Sequence, residues 1–314
     1  ALEQGLAALR ALVETAGLTY VGDLVGNFRL PTALGSEAQA AVVPASFAAG
    51  DLADPAPMLI AGPAGWRDFY PGLCAENLAR RGVSARAATF ALPELHDSKF
   101  DATAAGVARL FDRPDVRTRV AAQLRAELKG AARVGLPAVV GLAQHRAAWE
   151  DLQARIGVPV FEIATLPPSV PGMRLYLALK DALTHLGVPL LLDMEVTRGL
   201  VEGNRATGVV VPNPSREAVY RADRIILATG GLYGGGIASD HHGHLREKVF
   251  GLPVAGPVER GQWFDPQFIP PAGGHSVHRA GLWVDSHMRP LDEQGNVVLD
   301  NVRIAGRLLA GYDP

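Results

Sequence analysis

The sequence of 314 residues lacks the features that would place it in a membrane, around a metal cluster or on a nucleic acid. Its single cysteine, Cys74, excludes an intrachain disulfide and a thiolate metal cluster. There is no uninterrupted apolar run of about 18 residues, the length that spans a bilayer, and no signal-peptide layout. The net charge of −2 and the pI near 6.5 give no electrostatic footprint for nucleic acid or anionic lipid. We therefore expect a cytoplasmic protein that binds no nucleic acid, does not insert directly into a membrane, and reaches a membrane surface only through a partner.

Several catalytic motifs are also missing. No GxSxG, HExxH, Walker or CxxC pattern occurs, so nothing supports a hydrolase, a zinc protease or a kinase. The GxGxxG dinucleotide fingerprint is absent as well. The turn Gly62–Gly65 has only two of its three glycines, and Pro63 removes an amide donor, so an ordinary turn between a strand and a helix is predicted there. The run Gly234–Gly236 lacks a third glycine at the required spacing.

What is present indicates a globular α/β protein. The sequence is 48% apolar and 20% charged, a globular composition, and its length suggests about two domains. The strand patterns Met58–Ala61 and Val83–Phe90 flank a helix pattern over Asp68–Arg81. This βαβ order predicts a parallel pair with a right-handed crossover. Further strand and helix patterns follow, so residues 57–165 are predicted to form one compact α/β unit.

The second half of the sequence is organised around a glycine-rich turn. A proline-rich loop, Leu166–Pro171, precedes a helix predicted over Arg174–Leu186 and a strand predicted over Val188–Val196. A β-meander pattern then leads to the short apolar strand Ile225–Ala228, which continues into Thr229–Gly231. A strand that feeds a glycine-rich turn places backbone amides beside a ligand at the carboxyl end of a sheet. A turn that binds nothing has the same pattern, so both interpretations stay open on these residues alone.

The order of these segments resembles that of known flavoproteins. The helix–strand–meander–strand order of residues 174–230 is similar to the flavin domain of fumarate reductase/succinate dehydrogenase-type flavoproteins. Three segments, TLPPSVPGMRL at 165–175, ILATGGLYGGGI at 226–237 and AGRLLAGYDP at 305–314, resemble in the same order the family of B subunits of anaerobic glycerol-3-phosphate dehydrogenases.

The resemblance implies a fold and a cofactor site. The fold is an α/β, incomplete two-dinucleotide-binding flavoprotein fold with a β-meander and an inserted βαβ domain. Residues 1–50 and 166–314 would form the discontinuous flavin-binding domain, and residues 51–165 the inserted domain. The implied cofactor is FMN or FAD. Its contact residues would be Glu195, Val196, Ala228, Thr229, Gly230, Gly231, Gly306 and Asp313.

The resemblance also implies an activity and partners. A member of this family works with a catalytic A subunit and an iron–sulfur C subunit that anchors the complex to the membrane. The complex oxidises a small molecule, sn-glycerol 3-phosphate, to dihydroxyacetone phosphate and passes electrons towards quinone. Two alternatives remain open: a flavin-free structural or docking protein, and a stand-alone fumarate reductase-like flavoprotein.

The sequence also departs from the family pattern. The family begins with GxGxxG and continues past the Tyr-Asp-Pro segment with a glycine-rich stretch and a helix. We therefore expect a fragment, in which the isolated chain binds flavin weakly or not at all and is inactive.

Other polar residues give weaker signals, and no catalytic residue can be assigned from them. The cluster His241–His244 could share a metal, but a solvated loop is the expected structure, and no metal site is predicted. His275 and His278, with Arg279, could face an anionic substrate or a flavin carbonyl, although a polar surface loop is the more usual arrangement. Arg174 could clamp a phosphate or carboxylate, but an arginine at a helix start is more often solvated.

Overall fold

The computed structural model describes residues 2–95, 102–212, 217–267 and 274–311. The chain divides into two compact units, Ala1–Leu190 and Leu191–Pro314. The first unit contains a parallel sheet flanked in sequence by helices, and the second is built mainly from short antiparallel strands. The predicted α/β class is therefore confirmed.

The first unit contains seven helices and eight strands within its described residues. The helices are α1 (Leu2–Glu14), α2 (Ala45–Ala48), α3 (Pro71–Arg80), α4 (Ala104–Phe111), α5 (Pro114–Glu127), α6 (His145–Ile156) and α7 (Val170–His185). The strands are β1 (Tyr20–Gly22), β2 (Phe28–Pro31), β3 (Glu37–Ala40), β4 (Val42–Pro44), β5 (Met58–Pro63), β6 (Ala85–Phe90), β7 (Arg133–Pro137) and β8 (Val160–Ile163).

A four-stranded parallel sheet in the order β6-β5-β7-β8 forms the centre of the first unit. Strand β5 is buried along its whole length, as expected for a parallel strand that is covered on both faces. The predicted βαβ unit is confirmed, with α3 between β5 and β6. Cys74 lies in α3 within this core, and burial raises the pKa of its thiol to about 11. The only cysteine is thus a packed core residue that stays protonated at neutral pH.

The first fifty residues pack within the same unit. Strands β1 and β4 pair, β2 and β3 pair, and α2 lies against β8. Leu30, Val43 and Phe47 form a small apolar cluster with Ala138, which follows β7. The discontinuous flavin-binding domain predicted from 1–50 and 166–314 stays a prediction, because the division of the chain into two units describes only how compact each unit is.

The second unit contains seven strands within its described residues. They are β9 (Arg198–Glu202), β10 (Arg205–Val211), β11 (Ala218–Arg221), β12 (Ile225–Leu227), β13 (Ile237–Ser239), β14 (Leu245–Glu247) and β15 (Val302–Ile304). Strands β9, β10 and β11 form the predicted antiparallel meander. Strands β13 and β14 form a hairpin, and β12 pairs with β15 in parallel. Leu227, Val302 and Ile304 belong to the apolar core of this unit.

Two local predictions differ from the structure. Residues 188–196 form no strand; no described strand pairs with them, and without a hydrogen-bonded neighbour an apolar run does not make a ladder. Helix α7 begins at Val170, four residues before the predicted start, because the Ser169 hydroxyl accepts the Gly172 amide at 3.2 Å and caps it. None of the helices within the described residues combines the length and apolar character that a membrane span needs.

Candidate functional site

The candidate site lies where β12 and β15 end. The two strands pair in parallel, with Ile225 opposite Val302 and Leu227 opposite Ile304, so their carboxyl ends share one edge. The Ala305 amide donates to the Leu227 carbonyl at 3.0 Å and extends the pairing past the strands. Ligands of open α/β sheets bind outside such carboxyl ends. Thr229–Gly231 after β12 and Gly306 after β15 therefore meet where a ligand is expected.

The glycines after β12 form a loop that folds tightly on itself. The Gly236 amide donates to the Gly231 carbonyl at 3.2 Å and closes the loop. A Cβ atom on Gly236 would lie 2.1 Å from the Gly230 carbonyl oxygen, and one on Gly231 would lie 2.8 Å from the Arg307 carbonyl oxygen. The first distance shows how tightly the loop folds on itself, and the second shows that the loop lies directly against the turn after β15. A side chain at either position would force these backbones apart.

This loop presents hydrogen-bond donors without protein acceptors. Within the described residues, the backbone amides of Thr229, Gly230 and Gly231 donate to no protein group. The Thr229 hydroxyl oxygen is buried and has no hydrogen-bond partner among those residues either. Buried polar groups normally have partners. A bound group with several acceptor oxygens, such as the phosphates or ribose of a nucleotide, fits this set of donors.

Two further predicted contact residues, Glu195 and Val196, are held in different ways. The Glu195 carboxylate accepts from Lys248 Nζ at 2.8 Å, and the Lys248 amide donates to the Gly236 carbonyl at 3.0 Å. Lys248 thereby connects Glu195 to the end of the glycine loop, and its hydrogen bond lowers the pKa of Glu195. Val196 packs against the apolar core that contains Leu227.

The turn after β15 carries the last predicted contacts. Gly306 has a φ of +68°, which favours glycine, and it begins a short 3-10 helix, Gly306–Leu308. The Leu282 amide donates to the Leu308 carbonyl at 2.8 Å, so this turn is also fixed to the chain that follows a second 3-10 helix, Ser276–Arg279. Asp313 lies outside the described residues, and its predicted contact stays a prediction.

A hydroxyl–imidazole pair stands at the same edge. The Tyr233 hydroxyl, from the glycine loop, is hydrogen-bonded to His278 Nε2 at 2.7 Å, and the two rings lie 5.4 Å apart. The His275 ring lies edge-on to His278 at 5.3 Å, and its Nδ1 accepts the Asp265 amide at 3.1 Å. His275 and His278 were candidates from sequence, whereas Tyr233 was not. A tyrosine inside a glycine cluster was the only signal in the sequence that could have indicated it.

The histidine cluster His241–His244 is arranged around Asp240. One Asp240 oxygen accepts the amides of His242, Gly243 and His244, and the other pairs with His244 Nδ1 at 2.8 Å. These bonds lower the pKa of Asp240. The described residues include no group of three or more side chains with metal-ligand geometry.

Arg174 is neither solvated nor an open anion clamp. Its side chain is buried and donates to both oxygens of Glu162, at 2.7 and 3.0 Å, and to the carbonyls of Val140 and Gly141. The expectation of a solvated arginine was wrong because Glu162, on β8, gives it a charged partner inside the first unit. The Ser46 hydroxyl also donates to Glu162, at 2.9 Å, and completes the network.

Comparison with known proteins agrees with this geometry. The family model described as an FAD binding domain matches residues 1–314. The B subunit of the anaerobic glycerol-3-phosphate dehydrogenase of Yersinia enterocolitica is 30% identical over 97% of this chain and 71% of its own length. A probable B subunit of the same enzyme from Halobacterium salinarum is 32% identical over 91% of this chain and 69% of its own, and the B subunit from Pectobacterium atrosepticum is 29% identical over 98% and 73%. No solved structure gives a significant match.

Proposed function

Because the chain belongs to the FAD-binding family that includes the B subunits of anaerobic glycerol-3-phosphate dehydrogenases, we propose that it is the flavin-binding subunit of a complex that oxidises sn-glycerol 3-phosphate to dihydroxyacetone phosphate. The chain is an oxidoreductase subunit, and its cofactor is FAD. The single observation that carries the proposal on the structural side is the set of unpaired donors at the ends of β12 and β15.

We assign the contacts with FAD to the residues predicted from sequence. Ala228, Thr229, Gly230 and Gly231 would offer backbone amides and a hydroxyl to its polar groups, and Gly306 would let the second turn approach closely. Glu195 and Val196 would flank it, with Lys248 holding Glu195 in place. When bound, FAD accepts a hydride from the carbon that is oxidised.

The partners in this proposal follow from the relatives, which are named as B subunits. A catalytic A subunit and an iron–sulfur C subunit would complete the complex, with electrons passing from FAD towards quinone and with the C subunit giving contact with the membrane. The complex, rather than the isolated chain, would be the active form.

The cofactor is tested by purifying the chain as a complex with co-expressed A and C subunits. We expect a yellow complex whose flavin, released by denaturation, is FAD in about equimolar amount. Gly236→Ala should lose most of the flavin, since its Cβ atom would lie 2.1 Å from the Gly230 carbonyl oxygen. Gly261→Ala is the matched control, because its Cβ atom meets no atom within 4 Å. A colourless wild-type complex, or equal flavin loss in both variants, would contradict the assignment.

The substrate is tested on the same complex. Reduction of a quinone dye should depend on sn-glycerol 3-phosphate, and fumarate should not oxidise the reduced complex. Turnover of fumarate without glycerol 3-phosphate oxidation would favour a fumarate reductase-like flavoprotein. Unchanged activity in a flavin-depleted Gly236→Ala complex would instead indicate a purely structural role.

A further inference from the structure

We propose that the turn Glu247–Phe250 sets the spacing between the two chain segments assigned to FAD, Glu195–Val196 and the glycine loop after β12. The Glu247 carboxylate holds this turn from the protein interior, so Glu247 is a positioning residue for the cofactor. The inference rests on the proposed function above, because it takes FAD as the ligand of the two segments.

The turn is bonded to both segments. On one side, the Lys248 amide donates to the Gly236 carbonyl at 3.0 Å, at the end of the glycine loop, and Ile237 pairs with Glu247 in the β13–β14 hairpin. On the other side, Lys248 Nζ donates to the Glu195 carboxylate at 2.8 Å. A single residue of the turn therefore connects the two segments.

The rest of the turn fixes the strand that follows Val196. The Gly199 amide, in β9, donates to the Val249 carbonyl. A Cβ atom on Gly199 would lie 2.1 Å from the Phe250 ring, so this ring packs directly on the Gly199 backbone. Val249 is buried in the apolar core against which Val196 and Phe250 pack. The chain from 195 to 199 is thus attached to the turn at both of its ends.

Glu247 holds the turn together. It is 1% exposed, and its two carboxylate oxygens accept the amides of Val249 and Phe250, both at 2.7 Å. Within the described residues no lysine, arginine or histidine side chain pairs with it. Burying a carboxylate without a cation costs free energy, and the two bonds that define the turn offset this cost. Glutamine cannot replace Glu247, because its NH₂ group would face one of the two amides, donor against donor.

This arrangement predicts an effect on FAD affinity that is separate from stability. If Glu247 only supported the fold, its replacement would lower the free energy of unfolding and leave the site of the folded protein unchanged. The dissociation constant for FAD would then stay the same. If the turn sets the spacing of the two segments, the same replacement changes the folded site and raises the dissociation constant.

The test uses the complex with A and C subunits, from which FAD is removed and to which it is added back. We expect Glu247→Gln to raise the dissociation constant for FAD about tenfold or more, which corresponds to one hydrogen bond to a charged group. Lys248→Met removes only a partly exposed ion pair, so we expect about a threefold rise. Glu217→Gln and Arg198→Met, which break an exposed ion pair of the same unit, are matched controls and should leave the constant unchanged.

A second measurement needs no FAD. In the FAD-free complex, Glu247→Gln should speed hydrogen exchange in peptides that cover residues 195–199 and 229–237, because the turn no longer holds either segment. Exchange in β5, which lies in the first unit, should stay unchanged.

The possible outcomes separate the two proposals. A Glu247→Gln complex that is less stable but binds FAD like the wild type would overturn the positioning role and leave the proposed function intact. If this variant does not assemble, Lys248→Met decides, and a dissociation constant equal to that of the wild type overturns the role. A wild-type complex that takes up no FAD would overturn the proposed function and with it this inference.

Discussion

Replacing Arg174 by methionine should destabilise the first unit strongly. Arg174 is 4% exposed and Glu162 is 1% exposed, so the substitution leaves a buried carboxylate without its charged partner. Burial acts to raise the pKa of Glu162, but the Arg174 guanidinium, together with His145 and the Val140 amide, outweighs it and holds the pKa below the usual value. Breaking a buried pair by removing one partner costs about 3–5 kcal/mol. The Ser46 hydroxyl and the Val140 amide still donate to Glu162, which favours the lower end of this range.

The measurement is urea unfolding at pH 7, with hydrogen exchange followed in peptides from β7 and β8 to assign the loss to the first unit. Arg155→Met is the matched control, because Arg155 is partly exposed and its pair with Asp151 should contribute less than about 1 kcal/mol. The double variant Glu162→Gln/Arg174→Met should recover part of the stability, since no buried charge remains.

The loss of unfolding free energy in Arg174→Met should also depend on pH. Without Arg174 the pKa of Glu162 rises above its unfolded value, so the penalty is full at pH 7 and shrinks as both states become protonated near pH 4. A cost below about 1 kcal/mol, or an equal cost at both pH values, would refute this reasoning. It would also reopen the interpretation of Arg174 as a ligand clamp.

Three further predictions concern capping, a buried amide and acid stability. Asp112→Ala should lower the free energy of unfolding by about 1–2 kcal/mol, because the Asp112 carboxylate accepts three backbone amides just before α6. Thermal unfolding should show a far smaller loss for Asp181→Ala, since Asp181 is exposed. Asn301→Leu should cost about 1–3 kcal/mol and speed hydrogen exchange in β10, because Asn301 bonds both backbone groups of Ala206; unchanged exchange would contradict this. Burial lowers the pKa of His145, so the first unit should lose stability as pH falls below about 6.5, and His145→Gln should flatten that loss in unfolding curves between pH 5 and 7.

The parts of the fold that depend on local pattern could be predicted from the sequence. Strand β5, helix α3 and strand β6 follow from an apolar run, an amphipathic stretch and a second apolar run, and their contacts are between neighbours in sequence. The meander and strand β12 follow in the same way. The candidate loop was found because glycine after a strand has few structural uses, and its free amides agree with that interpretation.

The parts that depend on distant pairing could not be predicted. Residues 188–196 have the composition of a strand, but pairing decides whether a strand forms, and composition cannot supply a partner. Arg174 and Glu162 are brought together by packing, so the sequence could not distinguish a buried pair from a solvated side chain. Tyr233 and His278 meet only because the two turns after β12 and β15 are held together.

The pairing of β12 with β15 also affects how the protein is made. These strands come from early and late parts of the second unit, and the hairpin of β13 and β14 lies between them in sequence. Contacts between such distant residues form slowly, because a long loop must close before any bond compensates for its lost entropy. On the ribosome, strand β12 therefore has no strand partner until residues 302–304 have emerged. The first unit precedes the second in the chain and can be complete by then, so cofactor loading should be among the last steps of maturation.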